Sequence, residues 1–159
     1  MFQIGDKIVH PLHGAGVIED IVERTIDGAS AQYYALKPAL GDTALFIPTD
    51  ACDKLGIRPV CSREQAEAFL CQLDDLTLGE DKNWNQRYRE NMLHIRSGNL
   101  LEVAQVIKSL AVRESERKLS TGEKKMLTSA RQILESELAF ALHQTPQAIA
   151  EIINQKLKI

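Results

Sequence analysis

The chain has 159 residues, of which 26% are charged and 44% hydrophobic, and a net charge of -3. That composition fits one folded domain or two small ones and excludes a disordered polyelectrolyte. No run approaches the roughly 18 apolar residues of a membrane helix, and the opening Met1-Phe2-Gln3-Ile4-Gly5-Asp6-Lys7 lacks the apolar stretch of a secretory signal.

Turn-forming residues are unevenly placed. Residues 1–59 hold six of the nine Gly and four of the five Pro. Gly and Pro punctuate turns, and long stretches without them permit helices. A turn-rich β module is therefore expected over 1–59 and a helical module over 60–159. In the first, β-rich runs lie at Lys7–His10, Gly16–Ile26, Gln32–Lys37 and Thr43–Ile47. Asp27-Gly28 and Gly41-Asp42 are hairpin-type breaks. Pro11 and Pro48 end strands because they cannot donate to a ladder. Four or five short strands in this length predict a small, bent barrel of SH3 or Tudor type. So small a module buries little core and is expected to lean on a neighbour.

The second module reads as a compact bundle of about five helices, making the whole an α+β, two-domain chain. Ser62 with Gln65 is a capping box for a helix to about Leu73. Asn83 caps a helix with Trp84, Tyr88, Met92 and Ile95 on one face, stopped at Gly98. Asn99 with Glu102 starts a third, striped by Val103, Val106, Ile107 and Leu110. Ser120 with Glu123 opens a long fourth through Leu127, Ala130, Leu134 and Leu138. Thr145-Pro146 begins the fifth, carrying Ile149, Ile152, Ile153 and Leu157.

The near-neutral total hides a segregated charge. Residues 60–81 carry one basic and six acidic side chains, and residues 82–131 carry eleven basic and five acidic, net +6. Arg87 and Arg89 follow Trp84 and Lys82; Arg113, Arg117 and Lys118 surround a helix connection; Lys124 and Lys125 stand in the first turns of the long helix. Cations there oppose the macrodipole, a cost of up to about 1 kcal/mol that an anionic partner would offset. The alternative is a solvated face laced with Glu114, Glu116 and Glu123. Trp84, the sole Trp, also has two readings: a core residue, or an exposed wedge beside a base step in the minor groove.

Catalytic patterns are missing. There is no GxxxxGK[ST], GxGxxG or GxSxG. His10 and His13 form an HxxH pair without a third metal ligand nearby, and His94 and His143 are expected within packed helices. Cys52, Cys61 and Cys71 are odd in number and lack metal-ligand spacing, so they read as small, buried or half-buried thiols in a reducing cytosol. Neither an enzyme nor a cofactor or metal site is expected.

The run Ile4-Gly5-Asp6-Lys7-Ile8-Val9-His10-Pro11-Leu12-His13-Gly14 resembles the opening of the CarD/CdnL bacterial transcription regulators. Ile21 to Gly28 and Tyr34-Ala35-Leu36-Lys37 continue the resemblance. Asn83-Trp84-Asn85-Gln86-Arg87-Tyr88-Arg89-Glu90-Asn91 is similar to the family's Trp-bearing helix. Leu119-Ser120-Thr121-Gly122-Glu123-Lys124-Lys125-Met126-Leu127 and Ala130-Arg131-Gln132-Ile133-Leu134 are similar to its longest helix. The resemblance implies a Tudor-like module that docks on the lobe of the RNA polymerase β subunit, and a helical module that touches promoter DNA at the upstream edge of the melted bubble. It implies a monomeric cytoplasmic protein, without catalytic activity or small-molecule substrate, that lengthens the life of the open promoter complex.

By the same resemblance, Trp84 would be the wedge, Arg87 and Arg89 would hold phosphates beside it, and Lys124 and Lys125 would add phosphate contacts. Arg24 would anchor the chain to the β lobe, and Thr43, Ala44, Leu45, Phe46 and Ile47 would supply the docking edge. Phe46 stands where relatives can carry Arg, and Gln86 replaces a basic residue of some relatives. A competing reading makes the barrel an adapter for a peptide or modified side chain, with Tyr33, Tyr34 and Phe46 in an aromatic cage. Adjacent strand residues point to opposite faces, so one of the two tyrosines is expected in the core.

Overall fold

The computed structural model describes residues 1–78 and 83–159. Five strands come first: β1 (Lys7–His10), β2 (Gly14–Ile26), β3 (Ala29–Pro38), β4 (Leu45–Pro48) and, after the short helix α1 (Cys52–Leu55), β5 (Arg58–Pro59). They form one antiparallel sheet in the order β4-β3-β2-β1-β5. The β2–β3 hairpin turns at Asp27 and Gly28, both left-handed at φ 51° and 80°. That two-residue turn matches the twist of the flanking strands. Pairing slips at Glu19, between Ile18 and Asp20. The bulge bends β2; residues before it are largely buried, and the hairpin beyond it projects with Ile21 and Ile26 exposed.

Three strand starts differ from the sequence expectation. β2 begins at Gly14 and β3 at Ala29, each earlier than the residue pattern indicates. β4 begins at Leu45, so Thr43 and Ala44, expected in the docking edge, lie outside that strand. The ladder between β3 and β4 starts at Leu36 with Leu45. Beyond it stands Pro38, which has no N–H to donate, while the N–H of Ala39 goes to the Ala15 carbonyl at 3.0 Å.

Helices α2 (Arg63–Gln72), α3 (Trp84–Arg96), α4 (Leu100–Glu116), α5 (Thr121–Leu142) and α6 (Pro146–Leu157) follow, with a 3-10 turn at Leu73–Asp75. Their starts obey local chemistry. Ser62 and Gln65 complete a reciprocal capping box. The side chains of Asn83, Asn99, Ser120 and Thr145 accept first-turn N–H groups. His143 is not inside a helix; it is the exposed, left-handed cap of α5 at φ 53°. Among the cysteines, Cys52 is buried and Cys61 half-buried, but Cys71 is exposed.

The core has two parts, because adjacent residues of β1 face opposite ways. Ile8 joins Ile18, Tyr34, Leu36, Ile47, Cys52 and Ile57 inside the β module. Val9, with Ala15, joins the larger cluster around α5. The sheet thus leans on the long helix. Polar contacts fix that junction: Ser136 Oγ accepts the Ala15 N–H at 2.8 Å, and Gln132 donates to the His13 carbonyl at 3.2 Å. Gly14 is required there. Its φ is +85°, and a Cβ would stand 2.7 Å from Ser136 Oγ and 3.0 Å from the Gln132 carbonyl oxygen. Nearby, Arg58 of β5 pairs with the buried Glu137 of α5, which also accepts the N–H of Cys61. Burial first, and the Glu137 charge next, push the Cys61 thiol up to about 12. That sulfur stays protonated and structural.

Candidate nucleic-acid interface

Asn83 starts α3 by accepting the Gln86 N–H. This places Trp84 in the first turn of the helix. Trp84 is 46% exposed, so it is not a core residue. Its ring stacks on Tyr88 with centroids 5.2 Å apart and planes at 21°. Tyr88 is half-buried against the bundle core. The Tyr88 ring packs over Gly122 of α5, where a Cβ would stand at an ordinary contact distance of 3.4 Å.

Arg89 and Arg96 share a groove with Trp84. With Asn85, Tyr88 and Met92 these residues line an open groove of about 440 Å³. The groove joins an aromatic platform to two cations, the combination that receives a base or sugar alongside phosphates. Arg96 escaped the sequence reading, although its spacing from Arg89 and Met92 on one helical face could have revealed it. Lys124 and Lys125 are exposed in the opening turns of α5, and Arg117 and Lys118 are exposed just before it. Lys82 lies outside the described residues.

Arg87 is placed differently from the expectation. Its side chain is 14% exposed, and its Nε lies 3.4 Å from Glu123 Oε2. Arg113 Nε stands 3.6 Å from the same oxygen. The guanidinium of Arg87 is therefore turned inward, toward the junction of α3, α4 and α5, and is not displayed beside Trp84 for a phosphate. Glu123, read in the sequence as a capping-box or solvated acid, is 4% exposed. Its Oε1 sits 3.2 Å from the Trp84 Nε1 and 3.2 Å from Ser120 Oγ. The side chain has left the N-cap backbone to meet the indole.

The second candidate surface lies on the sheet. β4 is a terminal strand, paired only with β3 among the described residues. An unpaired strand edge can accept a partner strand through backbone hydrogen bonds. Leu45 is half-buried and Ile47 is buried, so only Phe46 of these three points outward, at 39% exposure. The Arg24 guanidinium stacks on the Phe46 ring at 3.8 Å. This joins residues from two sequence-distant strands into one cationic, flat-faced patch. The aromatic cage does not assemble. Tyr34 is wholly buried, with its hydroxyl accepting the Phe2 N–H at 3.1 Å, and the Phe46 face is occupied by Arg24.

Among the described residues no group of three or more His, Cys, Asp or Glu side chains is arranged to hold a metal. No helix there is long and apolar enough to cross a membrane.

Residues 2–61 match the CarD-like/TRCF RID domain, and residues 70–154 match the CarD C-terminal domain. The chain is also 36% identical over 138 residues to a Bacillus subtilis (strain 168) protein named "Putative transcription factor YdeB". That alignment covers 87% of this chain and 90% of the relative. On both domain matches and this relative, the chain belongs to the CarD family.

Proposed function

We propose that the chain is a transcription regulator that stabilises the open promoter complex. It docks on the lobe of the RNA polymerase β subunit through Arg24, Phe46 and the outer edge of β4. It sets Trp84 against promoter DNA at the upstream edge of the bubble. The indole occupies the minor groove at the junction, and Arg89, Arg96, Lys124 and Lys125 hold neighbouring phosphates. Such contacts position a protein without reading sequence; selectivity comes from the polymerase and from the shape of the junction. One chain carries both surfaces, so no second copy is needed.

The observation that carries this reading is the placement of Trp84: half-exposed at a helix start, stacked on Tyr88, and flanked by a groove with two arginines. A large apolar ring flanked by cations is how minor-groove wedges work. Support for the polymerase contact is the match of residues 2–61 to the CarD-like/TRCF RID domain.

The test is a photo-cross-linker substituted for Trp84, with cognate polymerase and promoter. Cross-links to DNA bases at the upstream bubble edge are expected. Cross-links only to protein, with the polymerase bound, would overturn the DNA role of this face.

A further inference from the structure

We infer that Glu123 is a positioning residue for Trp84: it fixes the indole as a preformed wedge. The inference rests on the open-complex reading above and adds a mechanism to it.

An exposed tryptophan at a helix start would ordinarily sample several rotamers, because only one side of it meets protein. Here two independent contacts remove that freedom. Tyr88 covers a face of the ring, at 5.2 Å between centroids. Glu123 Oε1 accepts from the indole Nε1 at 3.2 Å. The stack fixes the plane, and the hydrogen bond fixes rotation within it. Glu123 is itself immobilised by burial, by Ser120 Oγ at 3.2 Å, and by Arg87 and Arg113 at 3.4 and 3.6 Å. A buried carboxylate needs such partners to offset its lost hydration. One anion thus joins the start of α3, the end of α4 and the start of α5.

Two consequences follow. The edge of the ring bearing Nε1 is turned to protein, so the wedge presents apolar edge and face to DNA and makes no base-specific hydrogen bond through that nitrogen. Preorganisation also spares the ordering of a side chain on binding, an effect of about two- to twelvefold on the stability of the complex. The charge effect runs the opposite way. Neutralising Glu123 removes an anion from a positive face and removes the acid that Arg113 approaches at 3.6 Å. General DNA affinity should therefore rise while wedge function falls. A purely electrostatic role would move both together.

Trp84 is the sole Trp, so one indole N–H resonance reports the contact directly in the free protein. The expected result is slow indole exchange with solvent in the wild type and in Glu123→Gln, whose amide oxygen can still accept. Glu123→Ala should give fast exchange and reduced fluorescence anisotropy. In polymerase assays Glu123→Ala should shorten the open-complex lifetime toward that of Trp84→Ala, with unchanged binding to the β lobe and tighter binding to nonspecific duplex. If Glu123→Ala does not fold, the wild-type and Glu123→Gln exchange rates decide the matter: fast exchange in the wild type overturns the proposal. An unaltered indole in folded Glu123→Ala overturns it, as does a loosened indole with undiminished lifetime. If Trp84→Ala itself has no effect on lifetime, the open-complex reading fails instead, and indole exchange still tests the positioning.

Discussion

Glu137 of α5 receives both terminal nitrogens of Arg58, each at 2.6 Å, across the junction of sheet and helices. The carboxylate is fully buried and also accepts the Cys61 N–H at 2.9 Å. A two-pronged charged pair with an added backbone donor is geometrically demanding. It fixes β5, at the opposite edge of the sheet from β4, to the helix that supports Trp84.

Removing Glu137 leaves the part-buried Arg58 guanidinium and the Cys61 N–H without their shared acceptor. Glu137→Leu should therefore destabilise by about 3 kcal/mol, lowering the melting temperature by roughly 6–12 °C. The double variant Arg58→Met, Glu137→Leu should recover most of that loss, since apolar residues can replace such pairs. Calorimetry of the three proteins measures it. Equal melting temperatures for wild type and Glu137→Leu would show that the pair does not hold the junction.

The Arg24–Phe46 stack makes a separable prediction. Arg24→Glu should weaken binding to the isolated β lobe more than tenfold, because it replaces attraction with repulsion. Phe46→Ala should weaken it about two- to twelvefold, because Arg24 loses the ring that preorders its guanidinium for binding. Neither should change the melting temperature appreciably. Titration calorimetry against the lobe decides it, and unchanged affinity for Arg24→Glu would remove this patch from the docking surface.

The arginines that follow Trp84 should separate by burial. Arg89 is exposed and Arg87 is largely buried against Glu123. Arg89→Ala should lower the slope of log affinity against log salt by about one and leave stability alone. Arg87→Ala should scarcely change the slope and should lower the unfolding midpoint. The reverse pattern would mean that Arg87 faces DNA.

Much of this was legible in the sequence. Helix starts are local chemistry: Ser62, Asn83, Asn99, Ser120 and Thr145 announce themselves by the N–H groups they accept a few residues on. The β2–β3 turn is equally local, since Asp27-Gly28 tolerates the left-handed backbone that the hairpin needs. What stayed hidden depends on contacts far apart in the chain. Nothing near Glu123 says that its carboxylate will turn toward Trp84, 39 residues away. Arg87 looks the same as Arg89 until the helix phase and that acid bury one and expose the other. Strand β5 is two residues long and gives no periodicity to read. The limit of β4 at Leu45 was set by its partner strand, not by its own residues.

Acid should weaken the fold through His10. Burial, and then neighbouring His13, lower its pKa from 6.5 to about 4. Its Nδ1 accepts the Leu12 N–H at 3.0 Å, which a proton on that nitrogen would abolish. The unfolded chain takes up this proton as pH falls through 6.5, whereas the folded chain resists until about 4. The His10 contribution is thus complete above 6.5 and is lost as pH falls from there toward 4. Urea midpoints at pH 7.5 and 4.5 should differ less in His10→Asn than in the wild type; equal differences would contradict the assignment.

The central claim is tested most directly by the lifetime of the open complex on a ribosomal RNA promoter with cognate polymerase, with a competitor trapping released enzyme. The account predicts a longer lifetime with the protein. Trp84→Ala should remove that gain, by roughly 5- to 150-fold if the stacking is worth about 1–3 kcal/mol, while folding and lobe binding persist. A lifetime that the wild-type protein does not lengthen despite bound polymerase, or that Trp84→Ala lengthens equally, would contradict it.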